Sequence, residues 1–398
     1  MKLLKLKFDH VIMFEDGVLE LDFYAQDKVP AQDESVTLWE RPVYTNNVVA
    51  IAGINASGKS VALGLVDLAL NITEGNPVGE ADFRKELSGV FESSFTMNAL
   101  VWLDGSMYLL ESHMTSLSPL FDVDVRSDAL SFVDESVYRI DWKGAGKGLM
   151  ARDFADLASA GELVMRRSEL GAGDRRFLRD DTSVFSALVE GRVRHLHCAA
   201  TDLPLTLAQG LGGLDEALRT FDPSIEHLAV EDDGRAFELK LSTLPRPLVL
   251  SRSGLEGTLS SGTLKGLAVV QRAVLALRAG TYLLLDEVEM HLNRQLVNVV
   301  IDLFVMAETN PKGATLVFST HYPEVLDHLH RKDNVYFLSR GQGGKSRAVK
   351  YSSKVKRIEN RKSEVYASNY IGGTAPRYAD VAALRDYVAS AVGGEDDR

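Results

Sequence analysis

The sequence contains one cysteine, Cys198, in 398 residues. A single thiol excludes an intramolecular disulfide framework and is typical of a reducing compartment, so we expect a cytoplasmic location. The sequence also lacks any apolar run that approaches the ~20 residues needed to cross a bilayer. Its first residues alternate charged and apolar side chains, where a signal peptide would have a continuous apolar core. We therefore expect no membrane association.

Positive charge is scarce, because 44 Lys and Arg residues stand against 56 Asp and Glu residues and give a net charge of −12. An acidic total disfavours nonspecific attraction to nucleic acid, although it leaves room for a local basic groove. The stretch of about two hundred residues between Ser60 and Leu259 contains no heptad run, which excludes long coiled-coil arms there. What is present, 45% hydrophobic and 25% charged residues, is ordinary for a globular protein with a large core and more than one lobe.

One glycine-rich segment fits the pattern G-x-x-x-x-G-K-S/T of a P-loop. It lies between an apolar run that reads as a buried strand and a run with helical periodicity, which is the context a phosphate site needs. Its backbone N–H groups would surround the β-phosphate of a nucleotide, Lys59 would reach the β- and γ-phosphates, and the Ser60 hydroxyl would ligate Mg²⁺. The alternative is a turn with an unrelated lysine. The predicted nucleotide-binding residues here are Gly53, Asn55, Ala56, Ser57, Gly58, Lys59, Ser60 and Val61.

Two carboxylates, Asp286 and Glu287, follow the apolar run Tyr282–Leu285. This is the Walker B arrangement. Asp286 would hold Mg²⁺, and Glu287 would orient and deprotonate the attacking water. The alternative is a strand end followed by an acidic helix N-terminus, which is common.

Two further segments carry polar residues at the ends of regular elements. Ser260, Ser261 and Gly262 precede a helical run, so they form either a plain N-cap or an anion site at an open helix end. The apolar run Thr315–Thr320 ends at His321. His321 would hydrogen-bond a γ-phosphate oxygen, unless it is a structural histidine.

The order of these motifs resembles that of ABC-type ATPase heads, the class that includes SMC proteins and recombination-repair ATPases. Residues 259–263 resemble the LSGGQ signature, with Ser261 and Thr263 in place of Gly and Gln. Asn55 matches the Asn that this class favours in its P-loop, and residues 289–293 resemble the E-x-x-L-H/N turn of the OLD-like branch. The resemblance covers residues 1–83 and about 206–338.

Residues 221–225, 286–289 and 370–378 resemble the short OLD-like ATPases of bacterial anti-phage systems such as PARIS, Septu and retron modules. The resemblance implies an Mg²⁺-dependent ATPase with Lys59, Glu287 and His321 as catalytic residues. Two copies or a higher homo-oligomer would enclose ATP between the P-loop of one copy and the signature of another. The ATPase would control a separately encoded nuclease or toxin. The alternatives are a DNA-repair or chromosome-handling ATPase and, less favoured, a transporter subunit.

The resemblance implies an α/β fold: an ABC-type P-loop NTPase head with a mixed central sheet, an N-terminal β-subdomain and a helical signature lobe. Glu15-Asp16-Gly17 and Asp104-Gly105 predict hairpin turns. We expect five segments: the first part of the head with the P-loop (1–83), an insertion with a hairpin and helices (84–203), the signature lobe (204–280), the Walker B and His321 part of the head (281–340), and a basic segment and tail (341–398).

Weaker signals remain. A basic segment, residues 345–362, is either a contact for nucleic acid or an acidic partner, or a solvated face. We expect no zinc site at His195, His197 and Cys198, because no second ligand pair has a usable spacing, and we interpret residues 144–148 as a turn. The basic segment contains eight cations: Lys345, Arg347, Lys350, Lys354, Lys356, Arg357, Arg361 and Lys362.

Overall fold

The computed structural model describes residues 1–81, 86–117, 129–143, 147–171, 173–189, 194–198, 214–231, 236–290, 292–341, 343–356, 360–374 and 378–393. Within them, strands are numbered β1 to β17 and helices α1 to α10 in chain order. The structure is α/β, with a mixed central sheet, an antiparallel sheet that begins at the N-terminus, and a smaller lobe, as the sequence predicts.

The first sheet is antiparallel and contains both predicted hairpins. At the turn between β6 (Phe91–Leu103) and β7 (Ser106–Leu117), Asp104 and Gly105 both have positive φ, 47° and 79°, which matches the twist of a two-residue hairpin. Asp16 and Gly17 also turn through positive φ, so both predicted turns are confirmed. In spatial order the strands are β2 (Leu19–Asp22), β1 (Lys2–Val11), β6 (Phe91–Leu103), β7 (Ser106–Leu117), β8 (Ala129–Ile140) and β9 (Glu162–Arg166).

Residues 84–203, expected to be an insertion, supply four strands of this same sheet. β6 pairs with β1 over most of its length, with Phe8 opposite Met97 and Leu6 opposite Ala99. An isolated two-stranded hairpin is marginal in water. The β1–β2 hairpin therefore gains its stability from strands that lie some ninety residues further along the chain.

The central sheet is parallel except for one edge strand. Its inner strands are buried on both faces, which explains their continuous apolar runs. β17 pairs antiparallel with β16 and closes one edge. In spatial order the strands are β10 (Leu196–Cys198), β14 (Tyr282–Leu285), β15 (Thr315–Thr320), β5 (Val48–Gly53), β16 (Val335–Arg340) and β17 (Ser346–Lys350).

Helix α1 (Lys59–Thr73) lies between the two large sheets. Its side chains from Ala62 to Thr73 are almost all buried, and they pack with β1 and β6 on one side and β5 on the other. A helix that is apolar on all sides is one that other elements surround. The opposite face of the central sheet is covered by α6 (Ser261–Ala279) and α7 (Arg294–Val305).

The lobe before α6 contains a small sheet in addition to the expected helices. The antiparallel strands β11 (Ile225–Glu231), β12 (Ala236–Leu241) and β13 (Leu248–Ser251) pack on α4 (Leu214–Phe221), on α5 (Arg252–Thr258) and on the start of α6. This lobe has its own apolar cluster, which includes Leu218, Phe237 and Leu264.

Shorter elements complete the described part of the chain. No helix in it is long and apolar enough to span a membrane. β3 (Val36–Glu40) and β4 (Val43–Asn46) form a two-stranded ribbon. The remaining helices are α2 (Phe154–Ala160), α3 (Ser186–Val189), α8 (Tyr351–Lys354), α9 (Lys362–Ala367) and α10 (Tyr378–Gly393). The 3₁₀ turns are Glu15–Gly17, Val78–Glu80, Lys147–Leu149, Arg167–Glu169, Asp174–Arg176 and Pro323–His328.

Candidate functional site

The predicted site residues follow parallel strands whose carboxyl ends meet at one edge of the central sheet. Leu285 is opposite Phe318, Thr320 is opposite Ala52, and Leu338 is opposite Gly53. The residues after each strand therefore gather at the same edge, where open α/β sheets bind their ligands.

The glycine-rich loop wraps tightly at the end of β5. A Cβ on Gly53 would lie 2.4 Å from the Ser57 hydroxyl and 2.5 Å from the Leu338 carbonyl oxygen, so no larger residue fits. Ala56 and Gly58 have positive φ, 58° and 91°, and Gly58 immediately precedes α1. A loop of this shape turns backbone N–H groups towards an anion at the N-terminus of the helix.

The Lys59 ammonium group is buried at the centre of the site. Its Nζ lies 3.0 Å from the carbonyl oxygens of Gly53 and Ile54 and 3.0 Å from His321 Nδ1. Burial lowers the pKa of Lys59, while the carboxylates of Glu287, Asp286 and Glu289 act to raise it. Burial has the larger effect, and the three acids offset part of the cost of burying the Lys59 charge.

His321 connects Lys59 to Glu287. Its Nε2 lies 3.0 Å from Glu287 Oε1. An ammonium group only donates hydrogen bonds, so Nδ1 accepts from Lys59, and the ring proton on Nε2 points to the carboxylate. The backbone of Glu287 has a φ of 46°, an uncommon conformation for a side chain of this size. The three residues predicted to be catalytic are therefore joined in one hydrogen-bonded chain.

Two further polar residues support the site, Ser319 at the two acids and Glu289 at His321, and sequence reasoning assigned neither of them to it. Ser319 Oγ accepts from the Glu287 N–H at 2.8 Å and donates to Asp286 Oδ1. Glu289 Oε1 accepts from the His321 N–H, and its other carboxylate oxygen is buried with no partner among the described residues. Ser319 was visible only as one residue in an apolar run, and Glu289 only as the first residue of the segment that resembles the E-x-x-L-H/N turn.

A cavity of about 600 Å³ opens above these groups. Gly53 and Ser57 are not among its lining residues, and the Ser57 hydroxyl is buried without a partner in the described structure. Arg340 also borders the cavity and donates from Nε to the Ala56 carbonyl oxygen at 2.7 Å. The lining residues are Met13, Asn55, Ala56, Gly58, Lys59, Ser60, Val61, Glu287, Met290, His321, Tyr322 and Arg340.

The residues present fit a nucleotide with Mg²⁺. Oxygen donors suit this hard cation, and Ser60 and Asp286 supply a hydroxyl and a carboxylate at the same edge. The loop offers N–H groups and Lys59 offers positive charge for phosphate oxygens.

The serine segment lies elsewhere. Ser260 is the N-cap of α6, where its Oγ accepts from the Thr263 N–H at 3.0 Å. Ser260 and Ser261 are exposed and Gly262 is partly exposed. Within the described residues, none of the three borders the cavity. The N-cap interpretation is therefore observed, and the helix end also remains open to a ligand or to another molecule.

His195 forms a buried cluster with two carboxylates. Its Nε2 lies 2.6 Å from Asp67 Oδ1, on α1, and its Nδ1 lies 2.9 Å from Oε2 of Glu74, the residue that follows α1. Burial opposes protonation, but hydrogen bonds to the two carboxylates outweigh it and raise the pKa of His195 to about 9. No group of three or more His, Cys, Asp or Glu residues suited to a metal is found in the described part of the chain. The side chains of His197 and Cys198, and residues 144–146, lie outside it.

The basic segment divides into structural and exposed cations. Lys350 is buried against Asp22 at 3.1 Å, and Lys362 donates to the Leu329 carbonyl oxygen at 2.6 Å. Lys354, Lys356 and Arg361 instead border an open cavity of about 510 Å³. Arg357 lies outside the described residues. Only part of the segment is thus available for a partner.

Comparisons with known proteins found a family match and similar solved structures. Residues 247–327 match the family described as "AAA domain, putative AbiEii toxin, Type IV TA system". The match spans Ser260, Asp286, Glu287 and His321 but not the P-loop. The SMC head domain from Thermotoga maritima is a similar solved structure, with a TM-score of 0.40 and 16% identity over 88% of this chain and 99% of that chain. No curated protein matches the chain. Together, the motifs and the family match support an ABC-like ATPase.

Proposed function

We propose that the protein is a cytoplasmic, Mg²⁺-dependent ATPase that hydrolyses ATP to ADP and phosphate in the cavity at the edge of the central sheet. The observation that carries the proposal is the hydrogen-bonded chain Lys59–His321–Glu287 on the border of a cavity beneath a glycine-rich loop. A lysine, a histidine and a carboxylate from three distant segments converge there, which a turn with an unrelated lysine does not explain.

The residues divide the chemistry. Lys59 and the loop N–H groups would bind the phosphates, and Ser60 and Asp286 would hold Mg²⁺. The metal supplies positive charge that stabilises the transferring phosphoryl group. Glu287 is the general base for the attacking water. His321, which donates to Glu287 and is fixed through its backbone N–H by Glu289, positions that base.

We also propose that the catalytic unit contains two copies, as a homodimer or within a larger homo-oligomer. Ser260, Ser261 and Gly262 would bind the γ-phosphate of ATP held by another copy. Two observations support this: the α6 N-terminus is exposed, and it does not border its own copy's cavity in the described structure. A helix N-terminus with serine hydroxyls favours an anion.

A mixing experiment tests the pairing. Lys59→Ala removes the phosphate cation, and Gly262→Asp places a negative charge in the first turn of α6, which suits the helix dipole but repels phosphate. Each variant alone should be inactive. Random pairing of equal amounts leaves one intact composite site in half of the dimers, so the mixture should recover about a quarter of wild-type activity.

The matched control is Gly257→Asp, the same change at an exposed helix glycine with open space around it. It should leave activity intact. No recovery on mixing, with both variants folded and Gly262→Asp still binding ATP, would contradict a site shared between copies.

We further propose that the ATPase controls a separately encoded nuclease or toxin in anti-phage defence. The support is the resemblance of residues 221–225, 286–293 and 370–378 to OLD-like ATPases, together with a matched family whose description names a toxin of a type IV TA system. Purification of the native complex, with sequencing of the neighbouring genes, tests this. A nuclease or toxin partner is expected, whereas an arm-bearing repair partner or a membrane permease would overturn the proposal.

A further inference from the structure

Helix α10 (Tyr378–Gly393) carries large apolar side chains in the open. Leu384 is 61% exposed, Tyr387 70%, Val388 48% and Val392 73%. Scattered apolar residues on a surface are ordinary. These four lie within nine consecutive residues of one helix, so their arrangement needs an explanation.

Four apolar residues of α10 fit the a and d positions of a heptad repeat. Val381 and Val388 occupy two a positions, and Leu384 and Ala391 occupy the intervening d positions. Side chains at a and d form a single seam along a helix, and a β-branched residue at a with Leu at d favours two parallel strands. Asp386 and Ala389 lie on the opposite side of the helix.

The flanking positions complement one another when the helix meets a copy of itself. In a parallel pair, a g residue faces the e residue five positions later on the other helix. Asp380 at g would face Arg385 at e, and Tyr387 at g would face Val392 at e. Opposite charges meet in the first register and apolar side chains in the second, on both sides of the pair.

We propose that α10 pairs in parallel with α10 of a second copy, through Val381, Leu384, Val388 and Ala391. The pair forms an interface separate from the ATP-bridged one, and it requires no nucleotide. Its two-fold axis runs along the helices, which is compatible with a two-fold symmetric dimer of heads. Two heptads make a weak contact, but such a tether raises the local concentration of one head near the other when ATP is absent.

Site-specific cross-linking tests the register on the full-length protein. In a Cys198→Ser background, which removes the one native thiol, Leu384→Cys places identical d positions side by side in a parallel pair. We expect it to form a disulfide-linked dimer under mild oxidation without nucleotide. The matched control Asp386→Cys, on the outer side of the helix, should form no disulfide-linked dimer. Efficient cross-linking between Val381→Cys and Ala391→Cys, with none at Leu384→Cys, would indicate antiparallel pairing and overturn the proposal.

Sedimentation equilibrium without nucleotide tests the affinity. Leu384→Asp removes one buried Leu from each of the two paired helices. The dissociation constant of the dimer should therefore rise by about 100-fold. Ala389→Asp, on the outer side, should leave it unchanged. Equal effects of the two changes, or a wild-type protein that stays monomeric at the highest usable concentration, would overturn the proposal. Because ATP is absent throughout, these results do not depend on whether the protein hydrolyses it.

Discussion

The surroundings of Lys59 and the start of α6 are both polar, yet the chain treats them in opposite ways. Lys59 is buried, and its partners Gly53, Ile54 and His321 are all in the same chain. Ser260 has a partner three residues away and its side chain remains exposed. The first region is organised before any ligand arrives. The second is locally satisfied and presents a helix end to something outside the molecule, which is the difference expected between the two halves of a composite site.

The largest effect should come from removing the proposed general base, Glu287, from the first region. Glu287→Gln keeps the size of the side chain and removes its capacity to take a proton. We expect the rate of ATP hydrolysis to fall by about 10²–10⁴-fold while ATP binding persists, and the ATP-bound closed dimer to accumulate. Steady-state phosphate release and sedimentation in ATP measure the two outcomes.

Lys59→Ala, which should lose nucleotide binding itself, is the comparison variant for Glu287→Gln. Normal turnover by Glu287→Gln would show that the base is another residue.

The buried contacts of His195 with Asp67 and Glu74 should contribute strongly to the free energy of unfolding. The pKa of His195 in the folded protein, about 9, lies above its ordinary value of 6.5. The stabilisation is therefore fully present below pH 6.5 and is lost as the pH rises towards 9. We expect His195→Gln to lower the free energy of unfolding by about 3 kcal/mol near pH 6, with a difference that shrinks towards pH 9.

Urea unfolding at several pH values measures this difference. The control is His227→Gln, because His227 is about half-exposed and pairs with Asp215 at the surface, where such pairs contribute about 0–1 kcal/mol. A loss that does not change with pH would mean that His195 acts by packing and not by charge.

Two substitutions of Ser260 distinguish between an N-cap alone and a phosphate-binding helix end. Ser260→Asp keeps an oxygen that can cap α6 but adds a charge that repels phosphate, whereas Ser260→Ala removes the cap at a cost of about 1 kcal/mol. We expect Ser260→Asp to keep wild-type stability and lose about tenfold in ATP hydrolysis. Thermal unfolding and phosphate release together decide the matter. Full activity in a stable Ser260→Asp protein would leave Ser260 as an N-cap alone.

The smallest effect is expected in the basic segment. Neutralising Lys354, Lys356 and Arg357 together should weaken binding of nucleic acid or an acidic partner by about tenfold and lower its dependence on salt. ATP hydrolysis should be unchanged, because Lys354 and Lys356 do not border the cavity that contains Lys59. A salt titration of binding measures the effect, and an unchanged titration would leave the segment as a solvated face.

Local sequence patterns were enough to predict the strand–loop–helix around Gly53 and Lys59, the buried strand before Asp286 and the hairpin turn at Asp104-Gly105. Each depends on neighbours in sequence: glycine at positive φ, or an apolar run with a fixed period. Patterns could not predict that residues 91–166 would extend the N-terminal sheet, or that Ser319, Glu289 and Arg340 would support the site. Those roles depend on strand order and on contacts between distant segments.

What the sequence by itself determined is the chemistry available: a P-loop, two acids after a buried strand, a histidine after another, and a serine-capped helix. Tertiary structure alone decided that Lys59, His321 and Glu287 form one hydrogen-bonded chain while Ser260 stays outside their cavity. The physical reason is that parallel strands bring their carboxyl ends to a common edge whatever their separation along the chain. Ser260 caps a helix on the outer face of the sheet and does not border the cavity in the described structure, and no local pattern predicts where such a helix begins relative to the edge.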